Sequence, residues 1–279
     1  MLRRLPAEVG RWLIYVLILV VFVLPYVWMI TSSLRPHAEI HRYTSPLQWR
    51  TFVPVQFTLT NYQEILVGLG FARAIANSLF VAVVTVGASL IINSMAAYAL
   101  ARMRFRGRDV VFGLALVILT VPQEATIIPL YIVVRELHMQ DSYAALILPW
   151  IARPFNIFLL RQFFLELPRE LEEAAVVDGC GRLRIYWSVM MPNIKPALVT
   201  SAMIDFLLSW DAFFWPLVVI QSPDLQLVQV AIASMIEPDI TYWERIFAAC
   251  TLVSVPVVIV FLKLQRYYVR GMVLSGLKG

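Results

Sequence analysis

Charged side chains inside long apolar segments are the first candidates for chemistry in this 279-residue chain. Glu124, Arg153 and Asp211 lie in such segments, where ionisable groups typically mark a solute or ion path. Asp211 also has aromatic neighbours, Trp210 and Phe214. A carboxylate accepts hydrogen bonds from hydroxyl groups and aromatic faces stack on sugar rings, so this group suits a sugar or a polyol. The alternative is that the tryptophan only anchors a helix end at the membrane interface.

Glu124 and Arg153 are expected at similar depth in their helices. With a rise of about 1.5 Å per residue, Glu124 lies about 14 Å and Arg153 about 16 Å from the outer ends of the two segments. We therefore predict that the two side chains pair or line the same cavity. A purely structural salt bridge and a direct contact with the solute both stay open.

The sequence lacks the residue patterns of catalysis and of cofactor binding. No G-x-x-x-x-G-K-[ST] phosphate-binding loop is present, so we expect the chain itself to bind no ATP. The apolar segments contain no clustered nucleophile and base and no metal-ligand spacing, so we predict no catalytic residue, no cofactor and no metal site. Cys180 and Cys250 are too few for a disulfide framework and should be free thiols.

The elements that must position these side chains are membrane-spanning helices. The chain is 60% hydrophobic and 15% charged, whereas soluble domains carry about 25% charged residues. A helix needs roughly 20 apolar residues to cross a bilayer. Six runs approach that length: residues 12–30, 77–101, 109–133, 142–161, 197–220 and 246–265. Prolines and charged residues interrupt the third to the fifth run, the fifth with Asp205 as well as Asp211, so these runs should face the bundle interior. We predict an all-α membrane protein with six transmembrane helices.

The distribution of Lys and Arg predicts the orientation of the chain. Most of them fall in segments that are cytoplasmic if the N-terminus is inside, most densely in residues 102–108. Both termini and residues 162–196 are then cytoplasmic. The net charge of +5 has this topological explanation, so nucleic-acid binding is not predicted. The first run is longer than the apolar region of a signal peptide and no A-x-A site follows, so we interpret it as a retained anchor.

A polar insert, residues 173–192, separates two of the apolar runs and must project into water. Pro168 suits the first turn of a helix. The helix dipole favours negative charge in that turn, which carries Glu170, Glu172 and Glu173. Gly179 can take the left-handed conformation that ends a helix, and a second helix over about 181–190 should stop at Pro192. This knob should dock on a partner; an amphipathic loop lying on the membrane surface is the alternative.

The insert resembles the EAA loop of ABC-importer permeases. The family pattern is E-A-A, two residues, D-G, about nine residues and then I-x-L-P. The matching residues are Glu173, Ala174, Ala175, Asp178, Gly179 and Pro192. In that family the loop is the coupling helix that enters a cleft of the ATP-binding subunit. The resemblance implies that these residues couple the chain to an ATPase, and the small side chains of Ala174 and Ala175 would let its surface approach closely.

The resemblance extends over most of the chain, to carbohydrate-importer permeases and specifically to the second subunit of the maltose type. It is carried also by residues 61–66, 77–82, 96–109, 121–131, 147–164 and 271–279. WDAFFWP at 210–216 is similar to the family's W-N-x-x-x-x-P. Asp211 stands in place of Asn, which could alter contacts with the solute or mark a branch of the family.

The resemblance implies a type I ABC-importer permease of a prokaryotic cytoplasmic membrane that works by alternating access and is not itself an enzyme. Its implied partners are a homologous second permease subunit, an ATPase dimer that carries ATP and Mg²⁺, an extracytoplasmic solute-binding protein and membrane lipid. The chain would divide into a first span with an outer loop (1–76), a core permease domain (77–265) with the coupling loop 162–196, and a cytoplasmic tail (266–279).

Two functional alternatives stay open from the sequence. The first is a permease for another solute, such as glycerol phosphate, because an anionic solute would favour a cationic residue such as Arg153 in the cavity. The second is a polytopic membrane protein with no transport function.

Overall fold

The computed structural model describes residues 5–42, 48–237 and 240–276. Among these residues the regular secondary structure is helical, and no β-strand is present. The α-helices are α1 (Leu5–Ser33), α2 (His37–Arg42), α3 (Thr60–Gln63), α4 (Phe71–Arg102), α5 (Arg108–Ile118), α6 (Gln123–Glu136), α7 (Tyr143–Ile147), α8 (Pro154–Glu166), α9 (Glu170–Val177), α10 (Arg182–Ile185), α11 (Met191–Asn193), α12 (Lys195–Trp210), α13 (Phe214–Val219), α14 (Val228–Ala233) and α15 (Trp243–Gly276). Short 3-10 helices cover Trp49–Thr51, Leu148–Trp150 and Pro223–Leu225, and π-helical turns cover Glu64–Gly68 and Tyr186–Met190.

Three described helices are long and apolar enough to cross a membrane. They are Gly10–Ser33 within α1, the whole of α4, and Trp243–Gln265 within α15. Two further pairs qualify when each pair is taken as one bent span: α5 with α6, bent by 106°, and Tyr143–Trp150 with α8, bent by 42°. The described residues therefore hold three to five candidate spans.

The predicted fifth run, 197–220, forms two helices in the structure. Helix α12 ends at Trp210 and α13 begins at Phe214, so Asp211 to Phe213 interrupt the run. The total of six spans and the cytoplasmic placement of both termini stay predictions. Cys180 and Cys250 are free thiols, as predicted.

The two bent pairs are bent where prolines interrupt the apolar runs. Pro122 is extended, with φ −63° and ψ 132°, immediately before α6. Arg153 is also extended, with φ −115° and ψ 112°, because a proline disfavours helical backbone at the residue before it. Pro154 then occupies the first turn of α8, where its missing N–H leaves no helical hydrogen bond unmade.

The chain forms two compact units, Met1–Arg73 with Ala231–Pro256, and Ala74–Val230 with Val257–Gly279. The division at residues 76 and 265 stays a prediction. Within the predicted tail, the backbone of 266–276 continues α15 as a helix, and 277–279 lie outside the described residues.

Buried polar side chains order the first unit after α1. The Arg35 guanidinium donates to the carbonyl oxygen of Thr51 at 2.7 Å. The Glu39 carboxylate accepts from the backbone N–H groups of Val55 at 2.7 Å and Gln56 at 2.9 Å. Burial lowers the pKa of Arg35, and the negative charge of Glu39 acts in the opposite direction. The segment between α1 and α4 is thus held by charge-assisted hydrogen bonds.

The second unit contains two hydrophobic clusters. One joins α4 and α8 to the polar insert, with Tyr98, Leu160, Phe164 and Met190 among its buried members. The other lies among α6, α7 and α13, and its buried members include Ile127, Leu146, Trp215 and Val219. The first cluster positions the insert, and the second borders the cavity described below.

Candidate functional site

The first helix of the polar insert has the start and the end that its sequence predicts. Helix α9 carries Glu170, Glu172 and Glu173 in its first turn, where they face the positive end of the helix dipole. Gly179 follows with φ +78°. Its N–H donates to Val176 O at 3.0 Å, and the N–H of Cys180 donates to Ala175 O at 2.9 Å. These two bonds form a Schellman motif, which satisfies carbonyl groups at the end of the helix.

The second helix of the insert does not stop at Pro192. Helix α10 continues through a π-helical turn over Tyr186–Met190 into α11, and the chain leaves helical geometry only at Ile194. The predicted stop is therefore wrong by two residues. A proline inside an α-helix removes one hydrogen bond and its ring crowds the preceding turn. The wider π-helical turn, closed by Met191 N–H to Tyr186 O, immediately precedes Pro192.

Side chains of the insert pack on α4 and α8. Ala175, Ile185, Tyr186 and Met190 are buried in one cluster with residues of those helices. The Tyr186 hydroxyl lies 2.6 Å from that of Ser94. Burial raises the pKa of Tyr186, and its hydrogen bond with Ser94 acts in the opposite direction, so the phenol stays neutral near pH 7.

Arg102, at the end of α4, fixes the chain that leads into the insert. Its guanidinium donates from Nε and Nη2 to Phe164 O, at 2.9 and 2.5 Å, and from Nη2 to Leu167 O. Its Nη1 also lies 3.9 Å from a carboxylate oxygen of Glu172. Donors with positive charge make stronger hydrogen bonds than neutral donors, so Arg102 is the main polar anchor of the segment that leads into the insert.

The opposite side of the insert is exposed, and much of it is apolar. Val177 is 87% exposed, and Val176, Leu183 and Trp187 are also exposed. Of the predicted coupling residues, Glu173, Ala174, Asp178, Gly179 and Pro192 are exposed. Ala175 is not: it is 7% exposed and packs inside this chain. Ala175 lies on the inner face of α9, so the surface that approaches it closely belongs to this chain, and its part in coupling stays a prediction.

A cavity of about 380 Å³ lies in the second unit, at the breaks between helices. Glu124, Arg153, Asp211 and Phe214, four of the five predicted path residues, line it. The fifth, Trp210, is 1% exposed and stacks on Phe206 with ring centroids 5.6 Å apart. Trp210 therefore supports the wall from behind and does not line the cavity.

Arg153 is paired with Asp205, not with Glu124. Its Nε lies 3.1 Å from Asp205 Oδ1, although the two atoms are not aligned as a hydrogen bond. Asp205 Oδ2 accepts from the hydroxyl of Ser89 at 2.5 Å and the amide of Asn156 at 2.7 Å. Asp205 is fully buried and needs a counter-charge, whereas Glu124 is exposed and needs none. Of the two predicted arrangements, only the shared cavity is found.

Asp205 is the central residue that the sequence reasoning missed. It lies on α12, where the sequence already showed a carboxylate in an apolar run, which is the signal that could have identified it. Asn93 extends the same buried network: its side chain donates to Ser89 Oγ at 2.7 Å and accepts from the Arg153 backbone N–H at 3.0 Å. Among the described residues no group of three or more His, Cys, Asp or Glu side chains could hold a metal ion.

Comparison with known protein families identifies the class of protein to which the polar insert and the cavity belong. Residues 89–274 match the family described as binding-protein-dependent transport system inner membrane component. The chain belongs to this family. The matched residues include the polar insert and nearly all of the cavity lining, and membership of a transport family decides against a membrane protein with no transport function.

Individual relatives of this family member cover most or all of its length. It is 34% identical to the arabinooligosaccharides transport system permease protein AraQ of Halalkalibacterium halodurans, over 100% of both chains. It is 36% identical to the sn-glycerol-3-phosphate transport system permease protein UgpE of Yersinia pestis, over 73% of each. A solved structure of a bacterial ABC transporter involved in import of the acidic polysaccharide alginate matches with a TM-score of 0.83 at 25% identity, covering 95% of this chain and 97% of that one. The fold is that of an ABC-importer permease.

Proposed function

We propose that this permease imports a sugar or sugar-like solute across a prokaryotic inner membrane, driven by a separate ATPase. The observation that carries the proposal is the exposed apolar face of the insert on a chain of the binding-protein-dependent transport family. An apolar surface of this kind on a polar segment marks a contact with another protein. ATP and Mg²⁺ belong to the partner in this proposal.

The insert is proposed as the coupling segment. Glu173, Ala174, Asp178 and Gly179 present its outer face to the ATPase, and Pro192 lies in the last turn of its second helix. The inner face is packed on α4 and α8, so movement of the ATPase surface is passed to two membrane helices together. A homologous second permease subunit completes the path, and alternating access follows when both subunits move.

The cavity is proposed as this chain's part of the solute path. Phe214 offers an aromatic face, and Glu124 and Asp211 offer acceptors for hydroxyl groups. The similarity to AraQ favours a carbohydrate delivered by a solute-binding protein outside the membrane. The similarity to UgpE favours a second candidate, glycerol phosphate.

The coupling proposal is tested with a charge reversal in the first turn of α9. This chain is co-expressed with its partner permease and ATPase subunits, and the assembled importer is purified through a tag on this chain. Glu173→Lys should lower the amount of co-purified ATPase at least tenfold while the chain still reaches the membrane. Glu170→Lys makes the same charge change in the same turn outside the matching motif and is the control. Normal ATPase recovery with Glu173→Lys would overturn the assignment of this face.

The solute is tested on the cognate binding protein. Thermal shifts are measured with arabinotriose, maltotriose and glycerol 3-phosphate. A shift with either trisaccharide supports a carbohydrate importer, and a shift with glycerol 3-phosphate alone would replace that assignment with the second candidate.

A further inference from the structure

The cavity wall contains one cationic side chain and two acidic ones. Of the described residues that line it, only Arg153 is positively charged, while Glu124 and Asp211 carry carboxylates. The solute that a path accepts depends on the balance among these charges, because walls of low dielectric focus the field of one sign. The balance is set by which charges are already paired.

Asp205 cancels the charge of Arg153. It lies 3.1 Å from the guanidinium, is fully buried and does not line the cavity. Ser89 and Asn156 both donate to its second oxygen, and hydrogen bonds of this kind favour the charged form of a carboxylate. From the cavity, Arg153 with Asp205 behind it is a dipole, and the field of a dipole falls off faster than that of a single charge.

The two carboxylates of the lining have no such partner. Among the described residues, neither Glu124 nor Asp211 has a Lys, Arg or His nitrogen within 4.0 Å. The side-chain amide of Gln229 lies 3.5 Å from Asp211, beyond the usual hydrogen-bond distance, and carries no charge. This chain therefore gives the cavity a net negative wall.

We infer that this wall selects neutral polyhydroxyl solutes against anionic ones, and that Asp205 contributes to the selection by cancelling the charge of Arg153. The inference rests on the proposed function, since it takes the cavity as the solute path. By this inference the solute of this chain differs in charge from glycerol phosphate and from the acidic polysaccharide for which two of its relatives are named.

The test measures the charge of the cavity without knowledge of the solute. Cys180 and Cys250 are replaced by alanine, and Ala212→Cys places a small thiol in the lining of the assembled importer in detergent. The thiol is treated with three methanethiosulfonates whose transferred groups are cationic (trimethylammonium-ethyl), anionic (sulfonato-ethyl) and neutral (methyl). Each thiolate displaces a methanesulfinate and forms a mixed disulfide. Rates are divided by those of free mercaptoethanol under the same conditions.

The cationic reagent should react about tenfold faster than the anionic one after this correction. Asp205→Asn should lower this preference about threefold, because the Arg153 charge then offsets part of the charge of the two carboxylates. Because that variant also strains a buried network, Glu124→Gln and Asp211→Asn supply a second arm: both residues are exposed, and each should lower the preference for the cation about threefold. Val67→Cys, an exposed position outside the cavity lining and the coupling segment, is the control thiol, and its ratio should not change with any of these variants.

Three outcomes overturn specific statements. Equal corrected rates for the two charged reagents would overturn the inference and leave the permease function standing. Import of a solute with net negative charge would do the same. No reaction of Ala212→Cys even with the neutral reagent would overturn the cavity as the solute path, and the inference with it.

Discussion

The polar insert and the cavity wall both place charged groups in a mainly apolar chain, but they satisfy them in opposite ways. Behind the cavity lining, Asp205 contacts both Arg153 and Asn156, so this buried network is nearly closed. In the insert, Glu173 and Asp178 face outwards beside exposed apolar side chains. A closed network fixes the position of helices, whereas an open face is available to a partner. The following predictions test this contrast.

The largest effect is expected from opening the buried network. Asp205→Ala leaves the Arg153 charge buried without its partner, which should lower the free energy of unfolding by about 3–5 kcal/mol. Thermal unfolding of the detergent-solubilised importer measures it. The double variant Asp205→Leu with Arg153→Met should recover most of the loss, because neither buried charge remains. Glu124→Ala, an exposed carboxylate on the same cavity, is the control; an equal loss there would contradict the contrast.

A smaller effect is expected from removing the polar anchor of the insert. Arg102→Ala removes the donors to Phe164 O and Leu167 O and should destabilise the insert by about 2–3 kcal/mol. Amide hydrogen exchange should rise in residues 162–194 and stay unchanged in α12. Arg106→Ala removes a charge from the neighbouring exposed loop and should leave the exchange as it is. Unchanged exchange with Arg102→Ala would show that apolar packing alone holds the insert.

The helix end at Gly179 is expected to contribute through its backbone alone. Gly179→Ala forces a Cβ into the left-handed region and should cost about 1–2 kcal/mol. No atom lies within 4 Å of the added Cβ, so new side-chain contacts do not contribute to the difference between this variant and its control. Gly181→Ala is the matched control, because its φ is −73° and its Cβ would also meet open space. Thermal unfolding of both variants measures the difference, and equal values would argue against the Schellman motif.

The smallest effect is expected at the hydrogen bond between the insert and α4. Tyr186→Phe removes the hydroxyl beside Ser94 and should cost about 1 kcal/mol. Tyr15→Phe, at an exposed position of α1, should be neutral. If Tyr186→Phe lowers the free energy of unfolding more than Gly179→Ala does, the insert is also held by a polar network. That result would weaken the contrast between the insert and the cavity wall.

The sequence predicted the insert better than the cavity wall, for a physical reason. The acidic first turn, Gly179 and the knob shape depend on local backbone preferences, which neighbouring residues determine. The partner of Arg153 depends on which helix packs against the break at Pro154, and no local pattern encodes that choice. Asp205 was visible as a charge in an apolar run, but its pairing needed the tertiary structure. Pro192 was misjudged because a π-helical turn can accommodate a proline that an α-helix cannot.

Helix α4 carries contacts of both regions. Ser89 and Asn93 belong to the buried network, and Ser94 and Arg102 hold the insert. From Ser89 to Arg102 the helix runs about 20 Å, and α4 contains no proline that would let it flex. Helix α4 is therefore a rigid connection between the insert and the buried network. If the insert is the coupling segment that we propose, a movement received there reaches the cavity wall as a displacement of similar size, because α4 bends little.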